Sequence, residues 1–360
     1  MKKEAIKQAK KEEEETKPAP IEKEDIAALR RATPPKVSAA QSEEYRKLVD
    51  ESRRQIKRIF IGQDDVVTAL IRGLLCNSHV LLEGIPGIAK TLLIRALAKV
   101  AGGKFSRVQF TVDLLPTDIV GITTYTEQKG FYTVKGPLFA NFVLADEINR
   151  SPPKTQSAML EAMQERQATI GKDTYNMPDP FFVMATQNPI EQEGVYKLPE
   201  AQIDRFLFKV LMHYPDIDDE QQILTQNLTL KKFEDFDIKT VLSPMMIIEM
   251  QEYTKNIYLS KEVEKYILRI VEATRFPEKY GLKTGKYITW GGSPRASIGL
   301  YIGAKADALL NGKDFVTPQH IKNVAHDVLR HRLILSYEAE ADKVTSDDIV
   351  KEVLSRVPTP

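Results

Sequence analysis

One segment constrains the fold of this chain more than any other. Residues 84–91 read Gly-Ile-Pro-Gly-Ile-Ala-Lys-Thr and lie between an apolar run ending at Leu82 and a helical pattern from Lys90 to Val100. A strand, a small-residue turn and a helix that opens on Lys-Thr are typical of nucleoside triphosphate binding, because backbone N–H groups of the turn and of the helix N-terminus face the phosphates. We expect Lys90 to reach the β- and γ-phosphate oxygens and the Thr91 hydroxyl to hold Mg²⁺. An ordinary Gly/Pro turn is the alternative.

One residue of this loop departs from the usual pattern. The position before the lysine is normally glycine, and here it is Ala89. If the loop needs φ > 0 at that position, alanine costs about 1 kcal/mol, because its Cβ is crowded in a left-handed conformation. The loop is otherwise complete, so we expect nucleotide binding to be retained.

A second apolar segment ends in two adjacent carboxylates. Residues 139–145 are apolar apart from one asparagine and lead directly into Asp146 and Glu147. Unpaired buried charges are costly, so a buried strand that ends in two acids favours a functional explanation over a solvated strand end. Asp146 suits the Mg²⁺ shell, and Glu147 suits polarisation of an attacking water.

Composition limits the possible partners and compartments. The 360 residues carry a formal net charge of +1, which gives no global electrostatic case for binding nucleic acid or an anionic membrane. The single cysteine, Cys76, excludes an internal disulfide and is interpreted as a core residue. Five histidines lack zinc-ligand spacing, and His326 and His331 are interpreted as solvent-facing residues of a helix. With no apolar run near 18 residues and no hydrophobic signal core, we expect a soluble cytoplasmic protein without membrane insertion.

The chain divides into three regions by composition and periodicity. Residues 1–40 are rich in Lys, Glu and Pro and are predicted to be a disordered tail. Residues 41–215 alternate strands and helices, which predicts an α/β domain with a mostly parallel sheet covered by helices on both faces. Residues 216–360 are predicted to form a smaller all-α lid domain, with no strand after Pro215.

Particular elements follow from the same patterns. Two hairpins are predicted, one over 123–134 and one over 168–176. Helices of the second domain are predicted at 218–229, 244–256, 261–275, 294–310, 317–332 and 346–356.

Four further positions are candidates for the site. Asn188 follows an apolar strand and could hold the hydrolytic water, although Asn-Pro could simply turn the chain. Arg205 could be an ion-pair residue or an arginine finger that reaches a neighbouring subunit's γ-phosphate. Arg295 lies in the first turn of a helix, where a cation is disfavoured, so it needs an anionic partner such as a nucleotide phosphate or a structural carboxylate. Residues 61–63 (Ile-Gly-Gln) precede a helix, where an adenine ring could lie against the backbone.

Together these residues resemble the MoxR family of AAA+ ATPases over about 45–357. The similarity lies in 61–63 (IGQ), 83–91 (EGIPGIAKT), 146–156 (DEINRSPPKTQ), 160–165 (LEAMQE), 185–189 (ATQNP), 198–206 (LPEAQIDRF) and 293–295 (SPR). The stretch from Asp146 to Glu165 is the most specific to the family.

The resemblance implies a role for each matching residue. Lys90 and Thr91 correspond to the Walker A positions, Asp146 and Glu147 to the Walker B pair, Asn188 to sensor one, Arg205 to the arginine finger and Arg295 to sensor two. Residues implied to contact the nucleotide are Ile61, Gly62, Gln63, Gly84, Ile85, Pro86, Gly87, Ile88, Ala89, Lys90, Thr91 and Leu92, with Thr91 and Asp146 as ligands of Mg²⁺.

The resemblance also implies an assembly and a task. Hexameric rings are expected, with ATP between subunits and the two hairpins facing the central pore. Members of the family act as chaperone-like remodellers, which mature protein complexes or insert their cofactors and commonly work with a von Willebrand factor A domain protein.

Three alternatives stay open at this point. A nucleic-acid motor of the helicase or clamp-loader type shares the fold, but the hairpins mix Lys129, Lys135 and Lys172 with Glu127 and Asp173 instead of clustering positive charge. A magnesium-chelatase-like motor subunit is close in fold. A nucleotide switch that does not hydrolyse ATP is disfavoured by the intact Asp146-Glu147 pair.

Overall fold

Five parallel strands form the centre of the structure, in the order β2-β5-β8-β1-β9. This computed structural model describes residues 35–85, 87–128, 130–188, 196, 198–225 and 232–360. The first 34 residues of the predicted tail, Pro86 of the loop, Lys129 of the first hairpin and the end of the helix predicted at 218–229 lie outside these ranges. The strands are β1 (Val80–Gly84), β2 (Phe105–Gln109), β3 (Gly121–Thr126), β4 (Gly130–Lys135), β5 (Phe142–Asp146), β6 (Gln167–Ile170), β7 (Asp173–Asn176), β8 (Phe182–Gln187), β9 (Phe208–Met212), β10 (Ile288–Trp290) and β11 (Ile334–Leu335).

Helices cover the sheet and form most of the second half of the chain. They are α1 (Ala39–Lys57), α2 (Asp64–Leu75), α3 (Lys90–Val100), α4 (Pro116–Val120), α5 (Pro153–Glu165), α6 (Glu200–Ile203), α7 (Ile217–Thr225), α8 (Pro244–Lys255), α9 (Lys261–Arg275), α10 (Pro294–Leu310), α11 (Pro318–Leu329), α12 (Tyr337–Ala341) and α13 (Ser346–Arg356).

Alternation along the buried strands separates two apolar cores. Val80 and Leu82 of β1 face a cluster that includes buried side chains of α1, α2, α3 and the helices after residue 243. Leu81 points to the opposite face, into a cluster with Val143 and Val183. Because side chains alternate across a strand, one five-residue segment contributes to both cores. The lid helices therefore pack on one face of the sheet.

Close contacts show how the lid meets the sheet. A Cβ on Gly303 of α10 would lie 3.2 Å from the ring of Phe208, so the helix backbone lies directly against β9. Gln251 of α8 donates to the Leu74 carbonyl oxygen (2.8 Å), and the Tyr253 hydroxyl bonds to Ser42 (2.8 Å). The helical lid is thus joined to β9 by an apolar contact and to α2 and α1 by hydrogen bonds.

The predicted α/β fold with a helical lid is confirmed, with one correction. The prediction that no strand follows Pro215 is wrong, because β10 and β11 pair antiparallel within the lid. Their three and two residues are too short to show a period-2 pattern. The hairpins β3–β4 and β6–β7 form as expected.

Candidate functional site

The loop after β1 provides an anion cradle. Gly87 (φ 84°) and Ala89 (φ 59°) are both left-handed, and Ala89 immediately precedes α3. The first N–H groups of a helix have no intrahelical acceptor and carry partial positive charge. Lys90 Nζ donates to the Gly84 carbonyl oxygen (2.5 Å), so the side chain folds back over the loop. Space and charge at this turn fit a phosphate group.

Side chains behind the loop hold it against the sheet. Ile88 is buried, while Ile85 and Leu92 are half-buried and pack on the first core. A Cβ on Gly84 would lie 2.8 Å from both Ile88 Cδ1 and Met212 Cβ, so the strand end tolerates only glycine without movement. Thr91 lies half-buried in the first turn of α3.

The two carboxylates lie at the same edge of the sheet as the loop. Asp146 is the last residue of β5, and all five strands run parallel, so their carboxyl ends share one edge. Thr186 Oγ1 donates to Asp146 Oδ1 (2.8 Å) and accepts from the Glu147 backbone N–H (2.8 Å). Glu147 is left-handed (φ 56°), which costs energy for a residue with a Cβ and is typical of functional sites.

Two polar residues of β2 contact this acidic pair, and neither was predicted from the sequence. Arg107 donates to Asp146 Oδ2 from Nη2 (2.7 Å) and Nε (3.1 Å). Gln109 Nε2 donates to Glu147 Oε2 (2.9 Å), which also receives Arg150 Nη1 (3.0 Å). Residues 107 and 109 are two positions apart on a strand, so the sequence predicts that their side chains lie on the same face. It does not predict that this face meets the acids, because that depends on β2 lying beside β5. Each acid is therefore paired with a guanidinium.

Asn188 lies between the loop and the acids in the plane of the sheet. It is 5% exposed and follows β8, which separates β5 from β1. A buried amide at this position can bond to a group held between Lys90 and Asp146. Pro189, the other half of the Asn-Pro turn, lies outside the described residues.

The predicted adenine segment borders a polar cavity. Gly62 (φ 75°) and Gln63 (φ 50°) are left-handed and lead into α2. The adjacent cavity of about 460 Å³ is lined by Gln63, Leu211 and His213 together with lid residues such as Asn323 and Arg330. Gln63 Oε1 is buried without a hydrogen-bond partner among the described residues. A buried orphan acceptor beside a cavity fits a ligand that carries an amino group.

Arg205 and Arg295 lie elsewhere, at the amino edge of the sheet. Leu207 N–H donates to the His79 carbonyl oxygen (3.0 Å), and Phe208 pairs with Val80, so Arg205 precedes the amino end of β9. Arg295 Nη1 lies 3.9 Å from Asp204 Oδ2, a carboxylate rather than the loop. A five-residue strand spans about 13 Å, which separates both arginines from the loop of their own chain.

Histidines at this edge correct a prediction. His331 is not solvent-facing: its Nε2 bonds to the Phe206 carbonyl oxygen (3.0 Å), and burial lowers its pKa well below the usual value. His79 is buried, accepts from Val183 N–H at Nδ1 and donates from Nε2 to the Met163 carbonyl oxygen. Burial lowers the pKa of His79 to about 3, so its ring is neutral. Cys76 is buried, as predicted.

The loop, the acids and the helical lid define a nucleotide-binding protein of the AAA class, and sequence comparisons agree. A model of the ATPase family associated with various cellular activities (AAA) matches residues 79–208, and an AAA lid domain model matches 283–353.

Relatives identify the family within that class. Chaperone MoxR1 of Mycobacterium tuberculosis is 48% identical over 85% of this chain and 81% of its own length. The Bacillus subtilis protein YeaC is 41% identical over 89% of this chain and 98% of its own. The solved structure of a Cytophaga hutchinsonii protein, provisionally described as an ATPase, has a TM-score of 0.84 at 44% identity and covers 89% of this chain and 97% of its own. The chain belongs to the MoxR family of AAA+ ATPases.

None of the helices in the described ranges combines the length and the apolar character that crossing a bilayer requires.

Proposed function

We propose that this protein hydrolyses ATP, with Glu147 as the residue that orients and polarises the attacking water. The observation that carries the proposal is the shared edge of the sheet, where the Lys90 loop, Asn188, Asp146 and Glu147 meet. Lys90 and the N-terminus of α3 bind the phosphates, and Asn188 bonds to the water or the γ-phosphate. Gln63 accepts a hydrogen bond from the adenine amino group.

The donor set at this edge fits Mg²⁺. Thr91 and Asp146 supply one hydroxyl and one carboxylate, and no cluster of three or more His, Cys, Asp or Glu that could hold a metal occurs among the described residues. Mg²⁺ in such sites takes one or two protein ligands and completes its shell with phosphate oxygens and water. When bound, it neutralises charge on the phosphates.

We further propose that Arg205 and Arg295 act in trans, on nucleotide bound by a neighbouring copy. Their position at the amino edge, opposite their own loop, supports this assignment. A ring of such copies, expected to be hexameric, places the amino edge of one chain against the carboxyl edge of the next. Loss of the γ-phosphate then changes what these arginines contact, so hydrolysis can shift the lid between two orientations.

Within that assembly we propose a chaperone-like remodeller of protein complexes. The similarity to Chaperone MoxR1 supports this task, and a von Willebrand factor A domain protein is the proposed partner. The exposed aromatic pair of the first hairpin, Tyr125 and Phe131 with ring centroids 5.1 Å apart, offers an apolar contact for a protein client.

Phosphate release by a Glu147→Gln variant tests the catalytic assignment. We expect ATP binding to be retained and turnover to fall at least about a hundredfold, because the water loses its carboxylate partner. Glu161→Gln, an exposed acid on α5, is the matched control and should hydrolyse ATP at the wild-type rate. Full turnover by Glu147→Gln would refute the role of this residue.

A further inference from the structure

A single carboxylate connects the two arginines at the amino edge. Asp204 directly precedes Arg205, and its Oδ2 accepts from Ser293 Oγ (3.0 Å) and lies 3.9 Å from Arg295 Nη1. Ser293 is the N-cap of α10, and Arg295 is in the first turn of that helix. Asp204 therefore joins the turn that carries Arg205 to the helix that carries Arg295.

A buried guanidinium holds the other oxygen of Asp204. Arg332 Nε donates to Asp204 Oδ1 (2.7 Å), and the Arg332 side chain is 3% exposed. Its remaining donors reach the carbonyl oxygens of Asp204 (3.2 Å), Phe206 (2.7 Å) and Leu207 (3.0 Å). These carbonyls flank Arg205 on both sides, so Arg332 fixes the backbone that presents it.

Arg332 also belongs to the lid. It lies between α11 and β11 and donates to the Val328 carbonyl oxygen of α11 (2.5 Å). A rotation of the lid against the sheet must therefore move Arg332, and with it the turn that carries Arg205.

The chemistry of this contact favours an orienting role. A buried guanidinium is costly unless its N–H groups are bonded, and here they bond to one carboxylate and several carbonyls. Burial lowers the pKa of Arg332 to about 10, so it stays charged at neutral pH. Several bonds from one planar guanidinium, one of them charge-assisted, fix direction as well as distance.

We infer that Asp204 and Arg332 are positioning residues that set the spacing of Arg205 and Arg295 and transmit lid orientation to the nucleotide site of the next copy. This inference rests on the proposed function, in which the two arginines act in trans. Neither positioning residue is available to contact nucleotide, because Arg332 is buried and the two oxygens of Asp204 are occupied by Arg332 and Ser293.

Mixing of variant subunits tests the inference. Asp204→Asn chains keep their own loop, so nucleotide affinity should stay within about twofold, while phosphate release falls at least about tenfold. Lys90→Ala chains have the opposite defect: they bind no nucleotide but present intact arginines. Mixing the two should restore turnover, because Asp204→Asn sites then receive arginines from Lys90→Ala neighbours.

Two variants separate positioning from general destabilisation. Glu352→Gln weakens another carboxylate contact of the lid, with the Thr284 hydroxyl (2.6 Å), and should lower stability but hydrolyse ATP at the wild-type rate. Arg332→Lys keeps one charge but cannot reach several carbonyls at once, so its turnover should lie between those of wild type and Arg332→Met. Wild-type turnover by Asp204→Asn, or a failure of mixing to restore it, would overturn the inference.

A second readout does not depend on turnover. Trp290 is the single tryptophan, is 67% exposed and lies five positions before Arg295. A non-hydrolysable ATP analogue should change its emission in wild type and in Glu352→Gln, but not in Asp204→Asn. Absence of wild-type phosphate release would contradict the proposed function, whereas an identical Trp290 response in Asp204→Asn would contradict the inference.

Discussion

The two edges of the central sheet carry opposite chemistry. At the carboxyl edge, Asp146 and Glu147 are each paired with a guanidinium, beside a turn of backbone N–H groups. At the amino edge, Arg295 and Arg332 face one carboxylate, Asp204, and Arg205 follows it in the chain. One edge has the space and the donor groups that fit a phosphate, and the other presents surplus positive charge.

If Arg205 and Arg295 act in trans, as we propose, this difference explains why one chain alone would be an incomplete catalyst. A strand of five residues spans about 13 Å, too far for Arg205 to support the loop of its own chain. Charge that develops on a γ-phosphate needs a cation within a few ångströms, because Coulomb energy falls with distance and with solvent screening. Two copies placed edge to edge satisfy that requirement.

The largest expected effect is a loss of turnover, without a loss of nucleotide affinity, when an arginine of the amino edge is removed. Arg205→Ala should reduce turnover by about a thousandfold, the typical value of an arginine finger. Its nucleotide affinity, measured on dilute subunits with a fluorescent analogue, should match wild type. Lys90→Ala should lose affinity itself. If dilute Arg205→Ala subunits bound nucleotide as poorly as Lys90→Ala, Arg205 would belong to the binding site of its own chain, and the contrast between the edges would be wrong.

The second-largest effect concerns pH. Acidification should lower the free energy of unfolding through two buried histidines at the amino edge. His79 and His331 stay neutral in the folded chain, while the unfolded chain takes up protons below about pH 6.5. Their contribution is fully present above pH 6.5 and is lost as pH falls, for His79 until about pH 3, by at most about 1.4 kcal/mol per pH unit for each ring. Denaturant unfolding at pH 7.5 and 5.5 measures this loss.

Variants locate the source of that pH dependence. His79→Asn should be less stable at pH 7.5 yet lose less stability on acidification than wild type. His213→Gln, at an exposed position, should lose as much stability as wild type between pH 7.5 and 5.5. If His79→Asn and wild type lost the same stability on acidification, His79 would not be a source of the pH dependence.

A smaller effect concerns the metal at the carboxyl edge. Arg107 holds Asp146 Oδ2 and therefore competes with a cation for it. An exposed pair of this kind is worth about 1 kcal/mol, so Arg107→Gln should lower the Mg²⁺ midpoint for ATP binding by about fivefold. Arg95→Gln, whose partner is Glu234, is the control. A higher midpoint would show that Arg107 assists the cation.

The smallest effect tests the loop itself. Ala89 has φ 59°, so Ala89→Gly should raise the free energy of unfolding by about 1 kcal/mol. Ala101→Gly, at the other end of α3 with φ −80°, should give no gain. Thermal unfolding of the two variants measures this difference. Equal shifts in unfolding temperature would show that Ala89 is not strained by its left-handed conformation.

Local patterns predicted much of this molecule. The bounds of α9, α10 and α13 agree with the predicted 261–275, 294–310 and 346–356. Ser260, Ser293 and Thr345 cap these helices through side-chain oxygens, and such signals act over a few residues. The β10–β11 pair was missed because 43 residues separate Trp290 from Ile334, the first residue of its partner strand.

The amino-acid sequence by itself determined the elements and the chemistry that each one carries. It specified the loop before α3 and the two acids after β5, because turn geometry, strand alternation and helix capping depend on neighbouring residues. Its motifs carried the resemblance to the family. Only the tertiary structure decided which groups meet. Strand order brought Arg107 and Gln109 to the acids, and packing of the lid joined Asp204 to Arg332 across 128 residues. Such contacts depend on how distant segments pack, which local periodicity does not encode.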